Sequence, residues 1–141
     1  MSRHETWRTR KYWESVGGLL IEEFCAISKG TNNGTRLIDG VIVLNESTRI
    51  HDSNFYDLKD RDVICIQTKQ SRLGMYLMGQ AFFSAELLKR YFPKSIKKVL
   101  ICGKDDEVLN PICKQFDLDI VVIPENEISN SFITSHRPIR P

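Results

Sequence analysis

The sequence lacks the features that would place it in a membrane or in a secreted protein. No apolar run among its 141 residues approaches the roughly 20 residues that a bilayer-crossing helix requires. The N-terminus is basic and aromatic with no apolar stretch behind it, unlike a secretory signal. The four cysteines form no CxxC pair, which argues against a zinc knuckle or a disulfide framework. We therefore expect a cytoplasmic protein with reduced cysteines and no membrane partner.

Common catalytic and nucleotide-binding signatures are also missing. The three histidines form no HxH or HxxxH pair, and no serine lies in a GxSxG setting. No GxGxxG or Walker loop is present to hold a phosphate group. The net charge of +2 neither requires nor excludes nucleic acid, although basic residues gather near both ends. These absences argue against a nucleotide-binding Rossmann domain and against a hydrolase of the triad type.

The composition is that of an ordinary globular protein. Apolar residues make up 41% of the chain and charged residues 27%. A chain of this length can bury most of its apolar surface without disulfides or metals. We predict one domain over residues 1–141, with a flexible polar tail from about residue 125.

Apolar residues recur at helical spacing early in the chain. They follow one another at steps of 3, 4, 4 and 3 over Trp13, Val16, Leu20, Phe24 and Ile27. This spacing predicts a helix over about residues 6–28. Two adjacent glycines at positions 17 and 18 interrupt it, at a cost of about 1 kcal/mol each relative to alanine.

Later in the chain, short β-branched runs alternate with longer amphipathic ones. The KGTNNGT segment at 29–35 is typical of a loop. Strands are predicted at 36–44, 48–51, 62–69, 97–102 and 119–123, and helices at 72–92 and 105–116. The 48–51 strand would return after a turn at 45–47. The order α-β-β-β-α-β-α-β predicts an α/β fold whose mixed sheet is flanked by helices.

Three polar residues are embedded in apolar strands. Asp39 lies within LIDGVIV, where burial of an acid without a partner is costly. Gln67 and Lys69 share one face at the end of the DVICIQTK strand because side chains alternate along a strand. Burial of such polar groups is favourable only when a metal ion, an opposite charge or a hydrogen-bond partner lies nearby. A structural ion pair between Asp39 and Lys69 is the simpler alternative, and such pairs are weak contributors to stability.

This constellation resembles the PD-(D/E)xK nuclease superfamily over about residues 7 to 102. The matching residues are Asp39 in IDG and Gln67-Thr68-Lys69 in IQTK, followed by a long helix. The chain is most similar to small members: archaeal Holliday-junction resolvases, RecB-like domains, and Mrr-like enzymes with QxK. The resemblance implies a restriction-endonuclease-like core. Two departures are Ile38 in place of proline before Asp39, and Gln67 in place of an acid, which removes one negative charge.

The resemblance also implies an acid on the first helix. The family usually places this glutamate about 25 residues before the strand aspartate. Glu14 is 25 residues before Asp39, so we choose Glu14. Glu23 is the alternative, because both residues fall on flanks of the predicted helix.

The function implied by the resemblance is hydrolysis of DNA phosphodiester bonds by a divalent-metal-dependent endonuclease. The ion would be Mg²⁺ or Mn²⁺, held by oxygen atoms of Asp39, Gln67, Glu14 and the backbone of Thr68. Lys69 would orient the attacking water or stabilise the phosphorane.

DNA contacts are expected from Arg10, Lys11, Arg72 and Gln80, the last on the long helix. The small relatives pair protomers, which implies a possible homodimer. The alternative is a catalytically inactive nucleic-acid-binding or assembly module on the same fold.

Overall fold

The chain folds into alternating helices and strands, seen in a computed structural model that describes residues 3–125, with side chains from Thr6 onward. The predicted tail therefore falls almost entirely outside the described residues. The elements in chain order are α1 (Arg3–Val16), β1 (Leu19–Ile27), β2 (Arg36–Val43), β3 (Arg49–Ile50), β4 (Asp62–Arg72), α2 (Met75–Leu88), a 3-10 turn (Lys89–Tyr91), β5 (Ser95–Lys104), α3 (Leu109–Gln115) and β6 (Leu118–Val122).

The strands form one mixed six-stranded sheet in the order β3-β1-β2-β4-β5-β6. β2 runs antiparallel to both of its neighbours, β1 and β4. β4, β5 and β6 are parallel to one another, and β3 is parallel to β1. The parallel strands are joined through α2 and α3, as parallel neighbours require a crossover connection. The prediction of an α/β fold with a mixed sheet flanked by helices is confirmed.

The predicted helix over residues 6–28 is wrong in its second half. α1 ends at Val16, and residues 19–27 form β1. Gly17 and Gly18 adopt φ angles of +84° and +87°, in the left-handed region that favours glycine, and the N–H of Gly17 closes the helix on the carbonyl of Trp13. The glycine pair therefore ends the helix.

The predicted return strand is also paired differently. β3 does not fold back onto β2; it pairs in parallel with the start of β1, with Arg49 opposite Leu19. β1 is the antiparallel partner of β2 instead. The predicted element order is thus one strand short. The loop at 29–35 and the later strands and helices lie where the pattern placed them, within a few residues.

Helices cover both faces of the sheet. Tyr12 of α1, with Trp7 and Trp13, packs against one face, which includes Ile42 and Ile66. Ala85 and Leu88 of α2 pack against the other face in a cluster that holds Val41, Val43, Val63 and Cys65. Full burial of each valine, leucine or isoleucine side chain in these layers stabilises the fold by about 1.5–3 kcal/mol. Among the described residues, no helix is long and apolar enough to cross a membrane.

Gly40 sets the close approach of α1 to the sheet. A Cβ atom at this position would lie 2.9 Å from Cγ2 of Thr9, nearer than real contacts allow. Thr9 is fully buried at this contact. The middle of α1 therefore packs directly on Gly40 of β2, the residue next to Asp39.

Candidate active site

The ladder between β2 and β4 ends just before the polar residues begin. Its last pair is Gly40 with Ile66, and beyond it each strand pairs only with its outer neighbour. The same register would place Ile38 opposite Thr68. Instead, the N–H of Thr68 donates to Oδ2 of the half-buried Asp39, at 2.9 Å. The carboxylate thus occupies the opening between the two strands, called here the strand gap.

The backbone of Thr68 contributes a second oxygen to the strand gap. In an antiparallel ladder the N–H and C=O groups of one residue point toward the same neighbouring strand. Because the N–H of Thr68 points toward β2, its carbonyl oxygen is directed there too. Asp39 and the Thr68 carbonyl therefore face the same opening.

Gln67 is held from the side of α2. Its side chain is 4% exposed, and its Nε2 donates to Oγ of Ser84 at 2.6 Å, within the buried layer. The nitrogen and oxygen of an amide diverge from the same carbon, so this bond directs Oε1 away from Ser84. Gln67 therefore presents a fixed carbonyl oxygen on the sheet face that α2 covers.

Lys69 lies at the exposed end of the strand gap. Its Nζ is 5.6 Å from the centroid of the Tyr76 ring, within the range of a cation–π interaction. Among the described residues, no salt bridge joins Lys69 to Asp39. The structural ion pair considered above is therefore absent, and the ammonium group remains exposed beside an aromatic ring.

One stripe of α2 spans the site from Lys69 to Gln67. Tyr76, Gln80 and Ser84 recur every four residues and so lie on one side of the helix. Tyr76 contacts Lys69 at one end, and Ser84 binds Gln67 at the other. Gln80, which is half-buried, lies between them on the same side of the helix. Ser84 was missed by the sequence reasoning, although its four-residue spacing from Gln80 is a signal that could have found it.

Glu14 is not brought to the strand gap. Thr9 of α1 contacts Gly40, the residue after Asp39. Glu14 lies five residues further along α1, which is about 7.5 Å at a rise of 1.5 Å per residue. That direction leads toward Gly18, which packs against Val43 at the opposite end of β2. Glu14 is also exposed to solvent. The structure therefore separates it from Asp39.

Glu23, the alternative acid, lies next to Asp39 across the sheet. The flanking pairs Glu22–Gly40 and Phe24–Ile38 place Glu23 opposite Asp39 in the β1–β2 register. Glu23 is half-buried and has a φ angle of +49°, a conformation that costs a non-glycine residue on the order of 1–3 kcal/mol. Strain of this kind often accompanies functional sites, and here it lies beside the strand gap.

The predicted DNA-contacting side chains differ in accessibility. Arg10 makes two hydrogen bonds to Glu22, at 2.7 and 3.0 Å, which raise the pKa of its guanidinium group. Lys11 is only 7% exposed, so it offers little surface to a phosphate. Arg72 is exposed at the end of β4, where its Nη1 donates to the carbonyl of Asp105 at 3.0 Å. Arg10 and Arg72 are therefore exposed, whereas Lys11 is buried.

The oxygen donors around the strand gap have the chemistry that Mg²⁺ prefers. A carboxylate has about four acceptor sites, so the bond from Thr68 to Asp39 is compatible with ligation by the same carboxylate. Within residues 6–125, no three His, Cys, Asp or Glu side chains come together as a metal cluster. An ion here would therefore rely on the amide oxygen of Gln67 and the carbonyl of Thr68 as well as on Asp39.

A cysteine beneath the site has no role in this chemistry. Cys65 is 1% exposed on the face covered by α2. Burial, and secondarily the nearby charge of Asp39, raise the pKa of its thiol well above the ordinary value. Cys65 therefore stays a neutral thiol at physiological pH and packs as a small apolar group.

The comparisons with known proteins leave the family open. No protein-family model matches the chain, and no curated protein or solved structure is significantly similar to it.

Proposed function

We propose that this chain is a divalent-metal-dependent DNA endonuclease with a restriction-endonuclease-like core of the PD-(D/E)xK type. The observation that carries the proposal is the strand gap. Where the ladder opens, the N–H of Thr68 on β4 donates to Asp39 of β2, and Thr68 lies between Gln67 and Lys69 on a strand that α2 packs against. The order of elements around this motif supports the same proposal, since the QxK strand leads directly into α2.

The proposed ion would be held by oxygen atoms of Asp39, Gln67 and Thr68. Bound Mg²⁺ or Mn²⁺ would neutralise the phosphate and lower the pKa of a coordinated water. Ser84 fixes the orientation of the Gln67 amide, and the N–H of Thr68 fixes the Asp39 carboxylate. The protein therefore supplies preoriented ligands, which do not have to reorganise during the reaction.

Lys69 would act on the phosphate itself. Its ammonium group is exposed at the end of the same strand, two residues after Gln67. A cation in this position can stabilise the charge that develops on the non-bridging oxygens during hydrolysis. Gln80 on α2 and Arg72 at the end of β4 would contact the neighbouring phosphate or sugar.

One such site cuts one strand, so double-strand cleavage by this chain would require two copies. Pairing of protomers as a homodimer is part of the proposal for that reason. Sedimentation of the purified protein, with and without duplex DNA, would detect it.

The test is cleavage of plasmid, single-stranded and branched DNA in Mg²⁺ or Mn²⁺, compared with EDTA. We expect wild type to cleave only with metal, and Asp39→Asn and Lys69→Ala each to lose activity about 100-fold or more. Asp119→Asn and Lys94→Ala serve as matched controls because both side chains are exposed and distant in sequence from the motif. Both controls should retain full activity.

Other outcomes would count against the proposal. Cleavage that persists unchanged in Asp39→Asn would indicate a different active site or a contaminating nuclease. DNA binding without cleavage by the wild type would favour the inactive binding module instead. The loss of one acid at Gln67 is the sequence feature that favours this second function.

A further inference from the structure

An exposed aromatic ring stands beside the candidate catalytic lysine. Tyr76 is 71% exposed although it lies in the first turn of α2, next to the site. Met75, which precedes it, is 74% exposed. Exposing both side chains forgoes the stabilisation that burial in the core would give. The position of the ring therefore points to an interaction outside the folded chain.

The surroundings of Tyr76 define what it could bind. The ammonium of Lys69 lies over the ring, 5.6 Å from its centroid, and the high exposure of the ring leaves its remaining surface open to solvent. A planar group could stack on that surface of the ring while a negatively charged group of the same ligand pairs with the Lys69 ammonium. The first turn of α2 carries no acidic residue that would repel such a group. A nucleotide combines a planar base with a phosphate at short range.

We propose that Tyr76 is a stacking platform for an unpaired base of the DNA substrate, whose phosphate contacts Lys69. This inference rests on the proposed function and specifies its substrate class. Bases inside a duplex already stack on both neighbours, so a protein ring can reach a base face only where the base is unpaired or splayed out. Stacking on an aromatic side chain tolerates every base, because each has a π face. The preferred substrate is therefore single-stranded or locally unpaired DNA, with little sequence preference.

The test is binding of a labelled single strand and of its blunt duplex, measured by fluorescence anisotropy in EDTA so that no cleavage occurs. We expect Tyr76→Ala to weaken single-strand binding about 5- to 100-fold, the usual effect of losing one stacked base. Tyr76→Phe keeps the ring and should bind within about twofold of wild type. Phe92→Ala is the matched control, since Phe92 is equally exposed (71%) but lies beyond the far end of α2.

The outcomes separate this inference from the proposed function. A selective loss for the single strand, restored by Tyr76→Phe, supports the stacking role. An unchanged affinity in Tyr76→Ala, or an equal loss on single strand and duplex, overturns the stacking role. In either case the metal-dependent cleavage that requires Asp39 is measured separately and can still stand. If wild type binds neither DNA and cleaves none, both proposals fail together.

Discussion

The hydrogen bond between Gln67 and Ser84 allows a quantitative test of how the site is built. Both side chains are buried, at 4% and 8% exposure, and Nε2 of Gln67 donates to Oγ of Ser84 at 2.6 Å. Ser84→Ala removes only a hydroxyl, so it leaves almost no cavity. It does leave a buried amide N–H without this acceptor, which costs about 1–3 kcal/mol. We expect the free energy of unfolding to fall by that amount.

A double-mutant cycle isolates the bond from other effects of the substitutions. Gln67→Leu with Ser84→Ala replaces both polar groups, so the double variant should be less destabilised than the sum of the two single variants. We expect a coupling energy of about 1–2 kcal/mol from urea unfolding at constant m value. Ser71→Ala, at an exposed serine of β4, should change stability by less than about 0.5 kcal/mol. A Ser84→Ala protein as stable as the Ser71→Ala control would refute the reasoning.

The same variant links stability to the proposed chemistry. Without Ser84 the amide of Gln67 loses the hydrogen-bond acceptor that fixes its orientation. Removal of a residue that orients a metal ligand typically weakens metal affinity 10- to 100-fold. The Mg²⁺ concentration for half-maximal cleavage should therefore rise about tenfold in Ser84→Ala, with activity restored at saturating metal. An unchanged metal dependence would show that Gln67 does not ligate the ion.

Two further predictions concern the frame around the site. Gly103→Ala should destabilise the protein by about 2 kcal/mol or more in urea unfolding, because its Cβ would lie 2.0 Å from the carbonyl oxygen of Gln70. Gly79→Ala is the control: a Cβ there meets nothing within 4 Å, so this variant should be more stable by about 0.5–1 kcal/mol. Equal effects of the two substitutions on stability would contradict the packing described. At pH 8 a disulfide reagent should modify half-buried Cys25 first. The buried thiols should react only after unfolding, since burial raises their pKa values (to about 11 for Cys102) and keeps them protonated; rapid labelling of all four cysteines would contradict this.

The short apolar strands and the long helix α2 were predictable because their periodicities are local. β1 was not, and the reason is the left-handed backbone conformation of Glu23. In a regular strand, residues on one face are two apart, yet Ile21 and Phe24 pack in the same cluster three residues apart. The pairing with β2 keeps one register from Leu19 to Cys25, so the left-handed conformation of Glu23 changes the face that the next residues occupy without inserting a residue. Apolar steps of three and four result, and these steps are indistinguishable from a helical pattern in the sequence.

The sequence points to the candidate residues, but it does not show the contacts that arrange them. Asp39, Gln67 and Lys69 stand out as polar groups in apolar strands. The bond from Thr68 to Asp39 joins residues 29 positions apart, and its existence depends on where the β2–β4 ladder stops. No local pattern encodes that endpoint. Ser84 likewise acquires its role only because α2 packs over β4.

The choice of Glu14 and the error in α1 have one cause. The preference for Glu14 depends on a single helix over residues 6–28, whose surface must then carry the acid. Because residues 19–27 form β1, the sheet itself brings Glu23 opposite Asp39. In the proposed nuclease this matters for charge, since Gln67 supplies a neutral oxygen where an acid is usual. A glutamate on β1 would supply the missing negative charge opposite Asp39. The strained conformation of Glu23 would then serve to place that charge at the site.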